Sequence, residues 1–456
     1  MLTAPSEVPA WETAWTGGKR AIHLGNVADF DAQFPVGGPE PRPRPSRWRY
    51  GHHYASLAPF YTPHPAVVVL PHHLDEAWPR LIAHHLQWDS IELHSGIADD
   101  DTGFADALAA RPALLDRIRG AGLPMVPWGR TPKLDRLLRA TDDGVLAAVQ
   151  RFESKAHAVA LFRELMPACP GIHVRSQQRA QSRRDLARLV STATGAGRPV
   201  VLKSEFGVGG VGTVIVTPPD VAAAGGARAL LRRLAAEERL LPGNDVLVEP
   251  YIKPAGRLGD LTFDAVVAAD GGVHPVGAAV MQVEGTHYRG ATVGPGVMPD
   301  EVAARLARFG TEVGKALAGH GYRGWFDVDF IRDSSGRIEP AETNLRLTGP
   351  AVAFMIKARL DRVRGPGHLV RVLDELPLGA RLPEEAVFEH VGRLARLCAV
   401  LDVLVLPTLP GTAFEPEPTL GLAIAARSLT VLDAAESLVR AANAELAGMF
   451  DHLAPA

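Results

Sequence analysis

Polar residues alternate with apolar ones in two neighbouring segments of the sequence. In "FDVDFI", Asp327 and Asp329 are two residues apart, so they share one face of a strand. In "EPAETNLRLTG", Glu342, Asn344 and Arg346 have the same spacing. If the two strands pair, the carboxylates and an amide oxygen converge, and such close negative charges repel unless a cation lies between them. Hard oxygen ligands of this kind suit Mg²⁺ or Mn²⁺, although a solvated acidic face on an edge hairpin would give the same pattern.

A glycine-rich loop precedes these acidic residues. The segment "GVGGVG", 207–212, has the spacing G-x-G-x-x-G, but the β-branched "TVIVTPP" that follows predicts a strand. The helix that a dinucleotide site requires is therefore not expected, and no Gly-Lys-Ser/Thr completes a P-loop. Between two strands, the loop is either a flap whose backbone N–H groups cover phosphates or an ordinary hairpin tip. Lys203, at the end of "VVLK", favours the flap because it can reach a phosphate oxygen.

Length and composition restrict the class of protein. The chain has 456 residues, enough for two to four domains, and a net charge of -3 that gives no indication of nucleic-acid binding. No apolar run approaches the roughly 20 residues that span a bilayer, and the first residues do not resemble a secretory signal. The two cysteines, Cys169 and Cys398, lie outside any CxxC motif. We therefore expect a cytoplasmic protein with no membrane partner.

The predicted elements describe an α/β fold that places these motifs. Short strands and helical patterns alternate to about residue 130, which predicts a parallel α/β domain over 1–140. Further on, "VVLKS" and "TVIV" flank the glycine loop, and two hairpins are predicted with turns at 270–272 and 333–336. Between the hairpins, apolar residues at helical spacing predict a helix over about 302–317. The chain beyond about residue 351 carries no recognisable motif.

Four motifs in this order resemble the ATP-grasp superfamily, which includes D-alanine–D-alanine ligase, biotin carboxylase and glutathione synthetase. They are "VVLKSEFGVGGVG", "VLVEPYI", "GWFDVDFI" and "EPAETNLRLTG", within 150–350. A narrower resemblance is to actinomycete peptide ligases of the pheganomycin type, in which a pre-ATP-grasp domain comes first. The resemblance implies a Rossmann-like pre-ATP-grasp domain over 1–140 and a two-lobed grasp with antiparallel sheets. Its lobes would be 141–245 with the flap and 246–370 with the metal site, and 371–456 would pack on the second lobe.

The resemblance also implies roles for individual residues. Lys155 and Lys203 would be the two nucleotide lysines, and Glu249 would accept a hydrogen bond from the adenine amino group. Arg346 would steady the transferring phosphoryl group. The metal ligands would be Asp329, Glu342 and Asn344, the flap Gly207, Gly209, Gly210 and Gly212, and the rest of the hinge Tyr251 and Ile252. The sequence departs from the pattern of the superfamily at two places. Family members often have an acidic ribose ligand a few residues after the hinge, but here "KPAGRLG" occupies that stretch and Asp260 is the first acid available. Glu205 stands where many relatives have proline.

The implied activity is that of an ATP-dependent carboxylate–amine ligase with Mg²⁺ or Mn²⁺. ATP would phosphorylate a small-molecule acid, and an amine, such as an amino acid or peptide, would attack the acylphosphate with release of ADP and phosphate. Peptide or natural-product biosynthesis is the expected setting, and a homodimer is left open. Alternatives are a carboxylate–thiol ligase, a small-molecule kinase and a non-catalytic ATP-binding module.

Substrate-binding residues are harder to place from the sequence. The segment "EGTHYRGATVGPG" offers His287, Tyr288 and Arg289, and the segment "PRPRPSRWRYGHHY" offers arginines that can bind a carboxylate. For most of the second segment we expect solvated surface arginines. Three pairs of adjacent histidines, at 52–53, 72–73 and 84–85, suggest a metal site, but adjacent side chains of a strand face opposite ways. We therefore expect these histidines at the surface.

Overall fold

The structure is a computed structural model that describes residues 8–34, 45–207, 210, 212–237, 239–240 and 245–450, with the backbone alone at 45–48. Gly209 and much of the Pro- and Arg-rich segment lie outside these ranges. The described strands form three sheets, one of eight strands and two of four. No helix among the described residues is long and apolar enough to cross a membrane.

The N-terminal domain contains a parallel four-stranded sheet in the order β3-β2-β1-β4, as the sequence predicted. The "AVVV" run of its second strand is almost fully buried, which is typical of a parallel sheet covered on both faces. The strands are β1 (Ala21–Leu24), β2 (Pro65–Val69), β3 (Glu92–His94) and β4 (Met125–Pro127). The helices are α1 (Ala10–Thr16), α2 (Val27–Ala32), α3 (Pro45–Tyr54), α4 (Ala77–Leu86), α5 (Phe104–Ala109), α6 (Pro112–Gly120) and α7 (Pro132–Leu138).

Two helices connect this domain to the rest of the chain: α8 (Asp143–Phe152) and α9 (Lys155–Leu165). The hydroxyl of Ser154 caps α9 by accepting a hydrogen bond from the backbone N–H of His157. This cap separates the two helices and fixes the position at which Lys155 leaves the first turn of α9. The helix then packs beside the edge of the eight-stranded sheet.

The second four-stranded sheet carries the glycine loop and is antiparallel, in the order β5-β8-β6-β7. Its strands are β5 (Gln178–Arg179), β6 (Val200–Ser204), β7 (Thr213–Val216) and β8 (Val246–Pro250). Its helices are α10 (Arg183–Gly195), α11 (Pro218–Ala223) and α12 (Ala227–Ala236). The predicted strands on either side of the glycine loop are confirmed as the hairpin of β6 and β7.

The eight-stranded antiparallel sheet has the order β13-β12-β9-β10-β11-β14-β16-β15. Its strands are β9 (Asp260–Val267), β10 (Val273–Glu284), β11 (His287–Val293), β12 (Gly324–Arg332), β13 (Ile338–Asn344), β14 (Leu369–Pro377), β15 (Leu404–Leu409) and β16 (Thr419–Ala426). Its helices are α13 (Asp300–Gly319), α14 (Gly349–Arg364), α15 (Glu384–Ala399) and α16 (Leu429–Gly448). Both predicted hairpins and the helix between them are confirmed. The segment 371–456 contributes two whole strands and most of β14 to this sheet, besides the helices that pack on it.

Helix α13 holds the acidic strands in place from the opposite face of the sheet. A Cβ atom at Gly310 would lie 2.0 Å from the ring of Phe263, and one at Gly314 would lie 2.7 Å from the ring of Phe326. The two glycines therefore let the aromatic rings of β9 and β12 approach the helix backbone. Since side chains alternate along a strand, the neighbours of these rings, Asp264 and Asp327, face away from α13.

Candidate active site

Four carboxyl groups lie side by side on one face of the strands β9, β12 and β13. The register pairs Asp327 with Asp264 on one side and with Asn344 on the other. One step along, Asp329 lies between Thr262 and Glu342. Asp264, Asp327 and Asn344 are buried, whereas Asp329 and Glu342 are partly exposed. The two carboxylates predicted to bind metal are thus those that an incoming ion can reach.

Hydrogen bonds connect the row at Asp327. Its Oδ1 accepts from Nδ2 of Asn344 at 2.7 Å, and its Oδ2 accepts from the hydroxyl of Thr348 at 2.6 Å. The same Asn344 amide donates to Asp329 at 3.3 Å, and its Oδ1 accepts from Nη2 of Arg346 at 2.8 Å. Strand β13 ends at Asn344, so Arg346 reaches the row from the following loop and not from the strand.

Burial and the closeness of the carboxyl groups disfavour ionisation of Asp264, Asp327 and Asp329. Burial, and then the charge of Asp327, raise the pKa of Asp264 and of Asp329 well above its ordinary value. Burial raises the pKa of Asp327 to about 6, despite its hydrogen bonds. Oδ2 of Asp264 has no hydrogen-bond partner among the described residues. Asp264 was not predicted, although its place between apolar residues in "LTFDAVV" is a signal of the same kind.

Lys155 approaches the row from the start of α9. Its Nζ lies 3.3 Å from Oε2 of Glu342 and donates to the carbonyl oxygen of Gly207 at 3.2 Å. Burial raises the pKa of Glu342, but Lys155, Lys203 and Arg346 outweigh it and hold the pKa below its ordinary value. Glu342 is therefore ionised at neutral pH and lies where two ammonium groups and a guanidinium converge.

Lys203 is held by a second buried carboxylate, Glu249 on β8. Its Nζ lies 3.0 Å from Oε2 of Glu249, which also receives Nη1 of Arg175 at 3.4 Å. Oε1 of the same carboxylate accepts from Gln177 at 2.7 Å. Burial raises the pKa of Glu249, but Lys203 and Arg175 outweigh it and lower it overall. Arg175 and Gln177 were missed because no motif surrounds them; Tyr251, predicted beside Glu249, is half-buried just beyond β8.

Glu205, for which the sequence offered no role, anchors the base of the glycine loop. Its Oε1 accepts from the hydroxyl of Ser154 at 2.6 Å and from Arg179 at 2.7 Å. Its backbone oxygen accepts from the N–H of Lys155 at 3.1 Å. The residue thus ties the end of β6 to the turn of chain that carries Lys155, and it fixes the two lysines relative to each other.

The described glycines of the loop have conformations that favour glycine. Gly207, Gly210 and Gly212 have φ angles of 152°, 84° and 76°. A Cβ atom at Gly210 would lie 2.1 Å from the backbone oxygen of Thr286 in the β10–β11 turn. The hydroxyl of Thr286 in turn donates to Thr213 at 3.3 Å. At Gly210 the loop therefore touches the eight-stranded sheet at this turn.

The N-terminal domain covers Arg346. The guanidinium lies 5.8 Å from the ring centroids of both Phe30 and Trp128, and the residue as a whole is 7% exposed. The backbone N–H of Leu347 donates to the carbonyl oxygen of Trp128 at 2.9 Å. Cation–π contacts of this kind hold the plane of a guanidinium. Neither aromatic residue could be connected with Arg346 from the sequence, because they lie more than 200 positions away.

Glu153 is a further titratable group beside Arg346. It lies at the end of α8, and its Oε1 accepts from the backbone N–H of Leu345 at 2.5 Å. Burial raises its pKa to about 7, although Arg346 and the N–H of Leu345 oppose the shift. The charge state of this buried carboxyl therefore changes near neutral pH, next to the predicted phosphoryl-binding arginine.

Some predicted residues lie apart from this cluster. Asp260 lines a separate cavity of about 1250 Å³ whose described lining does not include the lysines or the carboxylate row. Arg289 lines the same cavity and forms ion pairs with Glu284 and Glu375, while His287 is exposed. Among His287, Tyr288 and Arg289, only Tyr288 turns toward the row. The charges of Asp264, Asp327 and Asp329 all raise the pKa of its hydroxyl. The ribose role of Asp260 stays a prediction.

The expectation of surface histidines was wrong for one pair. His52 and His53 lie on α3, not on a strand, and each is 2% exposed. Nδ1 of His53 bonds to Glu415, and its ring lies 4.0 Å from the ring of His72. On a helix, adjacent side chains are only about 100° apart, so both can face the interior. His73 and His84 are exposed, as expected, and the described residues contain no group of histidine, cysteine or acidic side chains that holds an ion unaided.

The carboxylate row nevertheless fits a divalent ion brought in with phosphates. Mg²⁺ is usually bound by one or two carboxylates, with phosphate and water oxygens completing the octahedron. Asp329 and Glu342 face each other across the strand pair, and Oδ2 of the neighbouring Asp264 has no hydrogen-bond partner among the described residues. The donor set consists of oxygen atoms, which suits Mg²⁺ or Mn²⁺ and not a softer metal.

Comparison with known proteins establishes the fold. The sequence matches no protein-family model and no curated protein. The chain is similar to the biotin carboxylase domain of 2-oxoglutarate carboxylase from Hydrogenobacter thermophilus, solved with MgADP, ADP and bicarbonate, with 12% identity and a TM-score of 0.52 over 93% of this chain and 89% of that one. It is also similar to N5-carboxyaminoimidazole synthetase from Staphylococcus aureus, with 12% identity and a TM-score of 0.50 over 86% of this chain and 95% of that one.

These likenesses agree with the motif order and with the three sheets. The protein has an ATP-grasp fold, in which a parallel α/β domain is followed by a small antiparallel sheet with the glycine loop and a large antiparallel sheet with the acidic row. At 12% identity the comparison extends to the fold and not to the reaction. The narrower resemblance to pheganomycin-type ligases stays a prediction.

Proposed function

We propose that the protein is an ATP-dependent carboxylate–amine ligase that releases ADP and phosphate. The observation that carries the proposal is the position of Glu342. It lies opposite Asp329 across a strand pair, and Lys155, Lys203 and Arg346 all act on its charge. A cluster of two carboxylates, two ammonium groups and a guanidinium has the groups needed to bind the phosphates of a nucleotide together with a divalent ion.

In this proposal each residue of the cluster stabilises part of the negative charge of the reacting phosphates. Asp329, Glu342 and Asn344 would hold Mg²⁺ or Mn²⁺, which neutralises phosphate charge when it is bound. Lys155 and Lys203 would contact phosphate oxygens, and the loop 207–212 would cover them and exclude water. The unpartnered Nε of Arg346 can donate to the transferring phosphoryl group or to the tetrahedral intermediate that forms on the acyl carbon.

The chemistry then follows from the positions of these groups. The substrate carboxylate attacks the γ-phosphorus of ATP, the bond to the β-phosphate oxygen breaks, and ADP leaves. The amine attacks the acylphosphate, loses a proton, and expels phosphate. These steps rest on the cluster of charged groups and on the motif order, and the similar solved structures support the fold that carries them.

The finer parts of the proposal rest on the sequence. We infer that the amine is an amino acid or a peptide and that the product belongs to peptide or natural-product biosynthesis, because the motif order resembles that of the pheganomycin-type ligases. A cytoplasmic location fits Cys169 and Cys398, which are buried, unpaired thiols.

The test is ATP-dependent phosphate release with a panel of small acids and amines and mass detection of products. We expect ADP, not AMP, and transfer of oxygen-18 from the substrate carboxylate to phosphate. Glu342→Gln should lower turnover at least about 100-fold, as expected when a ligand of a catalytic cation is lost. The matched control, Glu385→Gln on the exposed side of α15, should have no effect. AMP and pyrophosphate as products, or near-normal turnover of Glu342→Gln at limiting Mg²⁺, would contradict the proposal.

A further inference from the structure

Several buried polar atoms without partners lie together beside the carboxylate row. Among the described residues, Oδ1 of Asp374, the hydroxyl of Tyr288, Oδ2 of Asp264, Nε of Arg346 and Nε1 of Trp128 have no hydrogen-bond partner. Native proteins leave few buried polar groups unpaired, because each costs roughly 1–3 kcal/mol. When several such atoms share one region, a bound molecule that satisfies them is the simplest physical explanation.

Contacts between these residues show that the region is continuous. Tyr54 of the N-terminal domain donates its hydroxyl to Oδ2 of Asp374 at 3.0 Å. Its ring lies edge-on to Trp128, 5.9 Å between centroids, and Trp128 in turn lies against Arg346. On the other side, the charge of Asp374 is the strongest charge acting on Tyr288, followed by that of Asp264. The region therefore extends from Arg346 to Asp374 along the row.

The chemistry changes from one end of this region to the other. Arg346 and Trp128 offer N–H donors, whereas Asp374, a residue that is 2% exposed, offers a carboxyl oxygen. Among the side chains that the structure describes, which do not include that of Arg47, no cationic group forms an ion pair or hydrogen bond with Asp374, and Tyr54 is its hydrogen-bond donor. Burial without such a partner raises the pKa of Asp374 to about 7. A positively charged group brought by a ligand would supply the missing partner.

We propose that Asp374, oriented by Tyr54 and adjoined by Tyr288, binds the cationic amino group of the amine substrate. This inference rests on the proposed ligase function and assigns its acceptor site. An amine at Asp374 would lie next to Tyr288, whose hydroxyl adjoins the row where the acylphosphate forms, and it would pass a proton to the Asp374 carboxylate before its lone pair attacks. At the other end of the region, Arg346 and Trp128 would donate hydrogen bonds to anionic oxygens. The region therefore suits a nucleophile whose amino group lies close to the reacting acyl carbon.

The position on the fold agrees with this role. Asp374 lies on β14, and its neighbour Glu375 points to the opposite face of the sheet, where it pairs with Arg289. A Cβ atom at Gly349, at the start of α14, would lie 2.3 Å from the ring of Tyr288. Tyr288 is therefore confined between this helix and the strands, so that its hydroxyl stays between Asp374 and the row.

The test measures binding and turnover separately in the full-length protein. The probes are the free L-amino acids and their N-acetyl derivatives, which lack the cationic group. In the presence of MgADP, at least one free amino acid should raise the thermal midpoint of the wild type, and its N-acetyl derivative should not. Asp374→Asn keeps an acceptor for Tyr54 and removes a buried charge, so it should fold. It should weaken binding of that amino acid about 10–100-fold, the equivalent of one charge-assisted hydrogen bond.

Two further variants make the readout specific. Tyr288→Phe should raise the KM for the same amino acid by a smaller factor than Asp374→Asn does. Glu375→Gln changes the neighbouring residue on the opposite face of the sheet, and it should alter neither the binding constant nor the KM for that amino acid. The KM for ATP should stay within about twofold in all three variants. If the amino acids fail to stabilise the wild type, or bind Asp374→Asn equally well, the amine site is refuted. A wild type that fails to bind MgADP would instead refute the proposed function, so the two failures are distinguishable.

Discussion

Replacing Glu153 by glutamine should make the protein more stable at neutral and alkaline pH. The carboxyl group is buried, and burial raises its pKa from 4.5 to about 7. Because the pKa is higher in the folded protein than in the unfolded chain, the contribution of Glu153 to stability is most favourable below pH 4.5, decreases between pH 4.5 and about 7, and is level above that. Linkage puts the penalty at about 3 kcal/mol at pH 8 and about 1 kcal/mol at pH 5.

Glutamine removes the charge and keeps the oxygen that accepts from the backbone N–H of Leu345. The assay is the thermal midpoint of the nucleotide-free protein across pH 5–8. We expect Glu153→Gln to raise the midpoint by at least about 3 °C at pH 8, because a larger chain shifts less per kcal/mol than a small domain. The advantage should shrink toward pH 5.

Two controls separate the charge from the hydrogen bond. Glu153→Ala also removes the charge, but it leaves the N–H of Leu345 without its partner, at a cost of about 1–3 kcal/mol, so its stability should fall below that of the glutamine variant. Glu164→Gln, exposed on α9, should have no effect. The reasoning fails if Glu153→Gln is less stable than the wild type at pH 8, or if its advantage does not depend on pH.

Two other substitutions test the loop and the second lysine. Gly210→Val should lower turnover at least about tenfold, because its side chain would meet the backbone of Thr286 and its φ of 84° disfavours a β-branched residue. The control is Gly195→Ala, at a helix end with open space around it, which should leave turnover unchanged. Equal turnover of the two variants in a steady-state assay would contradict the role of the loop. Arg175→Lys should raise the KM for ATP about tenfold with a smaller change in kcat. The reason is that Glu249, the carboxylate that orients Lys203, loses its charge-assisted hydrogen bond from Arg175. An unchanged KM for ATP would show that Arg175 serves the fold alone.

The fold was predictable where local signals are strong. Alternation in "FDVDFI" and the turn residues at 270–272 and 333–336 specify the two hairpins, and the apolar spacing over 302–317 specifies α13. The convergence of Asp329 with Glu342 followed from strand period alone, since a hairpin with a short turn brings both onto one face. Prediction succeeded because each of these features depends on residues close together in sequence.

The remaining site residues depend on contacts across the whole chain. Arg175 meets Glu249 across 74 positions, and Glu153 meets Leu345 across 192 positions. Nothing near either residue in the sequence distinguishes it from a surface charge. The burial of His52 and His53 was missed for a related reason: the prediction assumed a strand, and on α3 both rings turn toward the interior.

The placement of Arg346 and Asp374 would give the N-terminal domain a part in the proposed chemistry. The four motifs lie within 150–350, yet the guanidinium of Arg346 rests against Phe30 and Trp128, and the carboxyl of Asp374 is oriented by Tyr54. The lysines and carboxylates of the proposed phosphate site come from α9 and the two antiparallel sheets, and Asp374 and Tyr288 come from the eight-stranded sheet. The parallel domain supplies Tyr54 and the aromatic rings against Arg346. If Asp374 binds the amine as proposed, substitutions in α3 or after β4 should change which amine is accepted without altering the lysines or the carboxylate row. In the proposed ligase, activation of the acid and choice of the amine would thus share one sheet, and the parallel domain would act on both through its contacts with Arg346 and Asp374.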